Sequence, residues 1–115
     1  MSKNKIIGDK GEQLAIDYLQ NKNYEIVETN WRIGHKEIDI IAIYNNVLVF
    51  VEVKTRKNVY LSPEDVLSYH KEELLTEAAD LYIEKNKINN EIRFDLIIIT
   101  YINNKFFINH FEDAF

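Results

Sequence analysis

Two apolar runs, Glu37–Tyr44 and Val47–Thr55, are separated only by Asn45 and Asn46. Asparagine tolerates the left-handed backbone that a two-residue hairpin turn needs, so the runs are expected to fold back on each other as a β-hairpin. That commits the middle of the chain to a sheet, which the flanking segments must cover. Ile7, Gly11, Leu14, Ala15, Tyr18 and Leu19 recur at the spacing of one helical face and predict a helix from about Gly8 to Lys22. Tyr24–Trp31 alternates as a strand would. After a loop at Arg56–Leu61, Ser62-Pro63-Glu64-Asp65 has a capping serine, a first-turn proline and acids at the positive dipole end, the signature of a helix start. The stripe Leu67, Leu74, Leu75, Ala78, Ala79 and Tyr82 carries that helix to about Lys85. Arg93–Tyr101 and Lys105–Phe111 flank Asn103-Asn104 as a second hairpin. The predicted order is αβββαββ, an α/β fold whose mixed central β-sheet is flanked by helices.

Among 115 residues there is no repeat or low-complexity tract, and three glycines and one proline leave no flexible linker. A single domain over residues 1–115 is expected, large enough for a real core. The absence of cysteine excludes disulfides, thiolate metal sites and cysteine nucleophiles. The longest apolar runs, Ile40–Ile43, Val47–Val51 and Leu96–Ile99, fall far short of the ~18 residues of a membrane span, so no membrane partner is expected. Residues 1–9 turn polar too soon for a secretory signal, and a cytoplasmic location is the default expectation. Nineteen acidic against fourteen basic residues, a net charge of −5, argue against coating nucleic acid by bulk charge. A local basic site stays open.

The informative residues break the apolar pattern. Counting outward from Tyr44 opposite Val47 sets Asp39 opposite Glu52 and Glu37 opposite Lys54, with all four on one face. Directly opposed residues lie only ~4.5–5.5 Å apart at Cβ, where like charges destabilise. A divalent cation held by carboxylate oxygens would offset that repulsion. A solvated face accounts for Glu37 alone. It accounts less well for Asp39 and Glu52, whose face-mates Ile41, Ile43, Leu48 and Phe50 are apolar; Lys54 adds a cation beside them. Glu12 shares the helix flank expected to face the sheet, and on spacing alone a dipole-stabilised acid is the simpler reading. Lys71 interrupts the stripe of the second helix, where a snorkelling stem and a functional role are both open. His35, His70 and His110 form no pair at metal-ligand spacing.

The same residues carry a family resemblance. Gly8-Asp-Lys-Gly11-Glu12-Gln-Leu-Ala15, Tyr18-Leu19 and Asn30-Trp31-Arg32 resemble the N-terminal signature of the YraN-like family of bacterial proteins. Glu37-Ile-Asp39-Ile-Ile-Ala and Phe50-Val-Glu52-Val-Lys54-Thr-Arg56 resemble its central signature, continued by Ser62-Pro63-Glu64, Lys71, Arg93-Phe94-Asp95 and Ala114-Phe115. That family is similar by sequence pattern to archaeal Holliday-junction resolvases of the PD-(D/E)xK nuclease superfamily. The resemblance implies a restriction-endonuclease-like core with a metal site at Asp39 and Glu52. It also implies Lys54 as the motif lysine, Glu12 as the helical acid of the resolvase branch, and a homodimer.

The expectation that follows is a divalent-metal-dependent endonuclease acting on DNA, branched DNA included. Asp39, Glu52 and a backbone carbonyl beside Lys54 would hold Mg²⁺ or Mn²⁺. Lys54 would orient water or neutralise phosphate charge, and Glu12 would take a second metal or an outer water. Arg32, Lys36, Arg56, Lys57 and Lys71 are the candidate phosphate contacts. Two other readings compete: a nucleic-acid-binding module that does not cut, and a protein-interaction domain with a vestigial site.

Overall fold

Asn45 and Asn46 both adopt left-handed backbone, φ 49° and 67°, and so do Asn103 and Asn104, φ 52° and 61°. Both predicted hairpins are present, each closed by an asparagine pair. The computed structural model describes residues 3–115; Met1 and Ser2, the start of the polar N-terminal stretch read above, lie outside the described residues. The elements are α1 (Lys3–Asn21), β1 (Glu25–Ile33), β2 (Lys36–Tyr44), β3 (Val47–Lys57), α2 (Pro63–Val66), α3 (Tyr69–Asn86), β4 (Glu91–Ile102) and β5 (Lys105–Phe111). The strands form one sheet in the order β1-β2-β3-β4-β5. Only β3 and β4 run parallel, and α2 and α3 make the crossover that parallel neighbours require.

The sheet is buried on both faces. Ala15 and Leu19 of α1 pack on Ile40, Ala42, Val49, Val51, Ile97 and Ile99. Ala78, Ala79 and Tyr82 of α3 pack on Ile38, Ile41, Leu48 and Phe50 from the opposite side. No helix among the described residues is long and apolar enough to cross a membrane.

Two elements differ from expectation. α1 begins at Lys3, a full turn before Gly8. The second helix, read above as one piece from Ser62 to about Lys85, is divided into α2 and α3. Leu67 is extended, φ −97° and ψ 111°, and Ser68 is a second N-cap whose hydroxyl accepts from the Lys71 amide at 3.1 Å. A serine that competes for the backbone restarts the helix three residues on.

Gly11 lies where α1 crosses β3, and a Cβ placed there would run into Thr55 Oγ1. Gly8, one turn earlier, has nothing within 4 Å of the same position. Alanine is therefore expected to act with opposite signs at the two sites. Gly8→Ala should stabilise by about 0.5–1 kcal/mol through helix propensity. Gly11→Ala should destabilise by about 1–3 kcal/mol through overpacking, with most of the loss recovered on adding Thr55→Ala. Urea unfolding of the four proteins checks this, and equal effects at both glycines would refute the close approach of α1 to Thr55.

Candidate metal centre

The β2–β3 ladder keeps the predicted register from Tyr44↔Val47 to Ile40↔Val51 and then stops. β2 continues against β1 as far as Ile33↔Lys36. The sheet therefore opens as a fork at Asp39, and the Asp39 carboxylate fills the gap: its Oδ2 accepts the Val53 amide at 2.8 Å. The strict alternation assumed from sequence fails here as well. Ile40 belongs to the α1 face, yet Ile38 packs with Trp31 in the α3 cluster. Asn30, which stands across from Asp39 between the pairs Thr29↔Ile40 and Trp31↔Ile38, has left-handed backbone, φ 50°. That kink turns both strands and frees the acid to reach β3.

Burial pushes the Asp39 carboxyl up to about 8, reinforced by the Glu52 carboxylate against it and only partly opposed by the Val53 amide. Glu52 is nearly enclosed, its side chain 10% exposed. Two carboxylates pressed together at a fork call for a proton or a cation between them. Hard oxygen donors of this kind suit Mg²⁺ or Mn²⁺. Asp39, Glu52, Glu37, Lys36, Lys71, His35, His70, Leu74 and Leu75 line one cavity of about 390 Å³ between the fork and α3. Its two histidines, His35 and His70, are residues that spacing alone left unassigned.

Of the other candidate residues, Lys36 and Lys71 line this cavity, and Glu12, Arg32, Lys54, Arg56 and Lys57 lie outside its lining. Lys54, two positions beyond Glu52, is held below its ordinary pKa by burial, then by the charges of Arg56 and Lys71. Lys71 reaches Glu52 at 3.7 Å, Lys36 reaches Glu77 at 3.8 Å, and Arg32 is paired with Glu37 at 2.6 Å. Glu37 therefore faces Arg32 across β1–β2, and not Lys54, because β2 has already left β3. Arg56 and Lys57 line a separate hollow with Asn4, Ile7, Gly8 and Thr55 at the end of β3. Glu12 also stands apart, in a hollow with Asn30 and Thr29 on the α1 side. Burial and then the Asp39 charge raise its pKa, against a hydrogen bond from Asn30. Glu12 thus feels Asp39 across the fork without sharing its cavity.

Residues 11–99 match the uncharacterised protein family UPF0102. The chain belongs to this family. A UPF0102 protein of Flavobacterium psychrophilum is 45% identical over 116 residues, covering 100% of this chain and 98% of the relative. One from Alkaliphilus oremlandii is 44% identical over 97% of this chain and 99% of its own, and one from Bacteroides fragilis 39% identical over 100% and 96%.

This UPF0102 chain also holds a buried polar network that the reading of the residues passed over. Asp95 is fully buried on β4. Arg93 grips it twice, Nε to Oδ1 at 2.8 Å and Nη2 to Oδ2 at 2.7 Å. His110 Nε2 lies 2.7 Å from Oδ2, and the Asp113 amide donates to Oδ1 at 3.1 Å. Arg93 also donates to the Tyr24 hydroxyl at 2.8 Å, and Tyr18 meets His110 Nδ1 at 3.1 Å. Burial alone would raise the Asp95 carboxyl, but the bonds from His110, Arg93 and Asp113 outweigh it and hold the group below its ordinary value. Among the described residues, Asp95, His110 and Glu112 form a group of possible metal ligands whose donor atoms all lie within 4.8 Å of one another. Arg93 already supplies the cation there, 2.7 Å from Asp95 and 3.7 Å from Glu112. The network ties the C-terminal hairpin to α1 and to the turn between α1 and β1. A signal was present in the sequence: the Asn103-Asn104 turn pairs Ile97 with His110, which sets His110 diagonal to Asp95 on the same face.

Proposed function

We propose that this UPF0102 protein is a divalent-metal-dependent endonuclease that hydrolyses phosphodiester bonds in DNA. The observation that carries this reading is the Asp39–Glu52 pair at the sheet fork, opening on a cavity edged by cations. A purely structural acid is placed to meet a base, whereas Asp39 is placed to meet another acid. Asp39 and Glu52 are the residues that would hold Mg²⁺ or Mn²⁺. Such an ion, when bound, polarises a phosphoryl oxygen and lowers the pKa of water in contact with it.

The remaining chemistry belongs to side chains of this chain. The Val53 amide orients Asp39. Lys54, with its depressed pKa, would hold the attacking water or neutralise charge gathering on the phosphate. Lys71, now 3.7 Å from Glu52, is placed to shift onto a phosphate oxygen, and Lys36 stands on the same rim. Glu12 and Asn30 would fix water on the far side of the fork. Arg56 and Lys57 would position the strand farther along β3 without reading its sequence. In the reaction a water oxygen bonds to phosphorus as the water gives up one proton, one P–O ester bond breaks, and the leaving alkoxide takes up one proton, so that the protons balance.

Incubating the protein with four-way-junction, flap, single-stranded and linear duplex DNA in Mg²⁺ and Mn²⁺ tests the proposal. Glu52→Gln should reduce cleavage at least ~100-fold while leaving the circular dichroism spectrum unchanged. Cleavage by Glu52→Gln at the wild-type rate would place the activity elsewhere. Metal-independent DNA binding with no cleavage of any substrate would favour the module that binds without cutting.

A further inference from the structure

β3 places Glu52, Lys54 and Arg56 at alternate positions, so all three lie on the α3 face with Phe50. The ladders carry that level sideways: Arg56 is registered with Thr100 on β4, and Thr100 with Phe107 on β5. Phe107 therefore lies on the same face as the Asp39–Glu52 site, level with Arg56. Tyr60, just past the end of β3, folds back over this point; its ring and that of Phe107 are 6.3 Å apart with planes at 57°. Both rings face outward, Tyr60 61% exposed and Phe107 43%. The core does not account for them. Arg56, on the same face and at the same level, is exposed and has no acid within salt-bridge distance among the described residues.

We infer that Tyr60 and Phe107 form a stacking platform for unpaired bases, which makes the substrate of the proposed nuclease a DNA with a single-stranded segment next to the scissile phosphate. The inference rests on the nucleic-acid reading above and narrows it. Outward aromatic rings beside the unpaired Arg56 match the two parts of a single strand, a base face and a phosphate. The four steps along β3 from Glu52 to Arg56 span about 13 Å, so one strand passing the metal site would run along Lys54 and Arg56 to the platform. A fully paired duplex keeps its base faces stacked on one another and has no face to offer.

The test is fluorescence anisotropy in EDTA, where binding is read without metal, using a labelled single strand and a blunt duplex of the same sequence. Tyr60→Ala and Phe107→Ala should each weaken single-strand binding about 10-fold. They should leave duplex binding within about twofold, and Tyr60→Phe should behave as wild type because it keeps the ring. Tyr60 is mostly exposed, so its replacement should leave the fold intact even if Phe107→Ala unfolds the edge strand. Equal loss on both DNAs, or no loss on either, would overturn the platform. A Tyr60→Ala protein that changes from dimer to monomer in sedimentation but keeps its single-strand affinity would also overturn it, and would make this face a contact between copies. If the single strand is preferred in the predicted way and no DNA is cut, the platform stands and the catalytic proposal fails. If DNA is cut and the ring variants bind as wild type, the platform fails alone.

Discussion

Replacing Asp39 with asparagine should raise the melting temperature of the metal-free protein and abolish its response to Mn²⁺. In wild type the Asp39 carboxyl lies against Glu52 with its pKa pushed up to about 8, so near neutral pH it is folded at a cost. Asparagine has almost the same shape. Its carbonyl can accept the Val53 amide that Asp39 accepts now, and its NH₂ can donate to Glu52, which removes the conflict. The gain should be on the order of 2 kcal/mol, or about 6–10 °C for a chain of this size. The pH dependence has a definite sign. Between the ordinary value of 3.8 and about 8 the folded chain holds a proton on Asp39 that the unfolded chain lacks, so this group's contribution is lost as pH rises through that window. In EDTA, wild type should lose stability between those pH values and Asp39→Asn should not lose this part. Mn²⁺ should reverse the order. Binding only the folded state stabilises wild type, by ~2.7 kcal/mol at a hundred times Kd, while Asp39→Asn should gain little. Melting curves in EDTA and in Mn²⁺ decide the matter. A variant that melts below wild type in EDTA, with neither protein responding to metal, would make Asp39 an ordinary structural acid.

Asp95→Asn should do the reverse and cost far more. Asp95 is fully buried and receives Arg93, His110 and the Asp113 amide; an asparagine there turns an NH₂ toward groups that are themselves donors. Breaking a buried charge pair from one side costs ~3–5 kcal/mol, which corresponds to a fall of roughly 10–20 °C in melting temperature. The loss should be the same in EDTA and in Mn²⁺, because the network shares no residue with the candidate metal site. Its pH dependence is opposite to that of Asp39. The depressed carboxyl contributes fully above the unfolded value of 3.8, and the contribution disappears as pH falls through the folded pKa. Wild type should therefore lose stability in acid more steeply than Asp95→Asn. A melting point within about 2 °C of wild type would show that the network contributes little, in contrast to other buried ion pairs.

Much of this architecture follows from rules that act between near neighbours in the chain. The asparagine pairs at 45–46 and 103–104 determine two hairpins, because left-handed backbone at both positions matches the twist of the strands they join. Counting out from the first turn sets Asp39 opposite Glu52, but the ladder stops at Ile40↔Val51, and the Asp39 carboxylate meets Glu52 across the open fork. The apolar stripes of α1 and α3 likewise state which faces are buried. Local rules do not say which neighbour a strand keeps when two compete. Beyond Ile40, β2 stays with β1 and abandons β3, and only the kink at Asn30 and the packing of Ile38 and Trp31 under α3 decide that choice. The same holds for Glu12, which the helix pattern places on the sheet side but which tertiary packing sets in its own hollow behind Asn30. It holds too for Asp95, whose network joins Arg93 of β4, His110 of β5 and, through Arg93, Tyr24 ahead of β1, and for Tyr60, which follows β3 and returns to Phe107 on β5. Sequence alone determines the turns and the periodicities, because each depends on a few consecutive dihedrals. The fork, the network and the ring pair are decided by tertiary structure, because each depends on which segments distant in the chain win the same hydrogen bonds and the same buried surface.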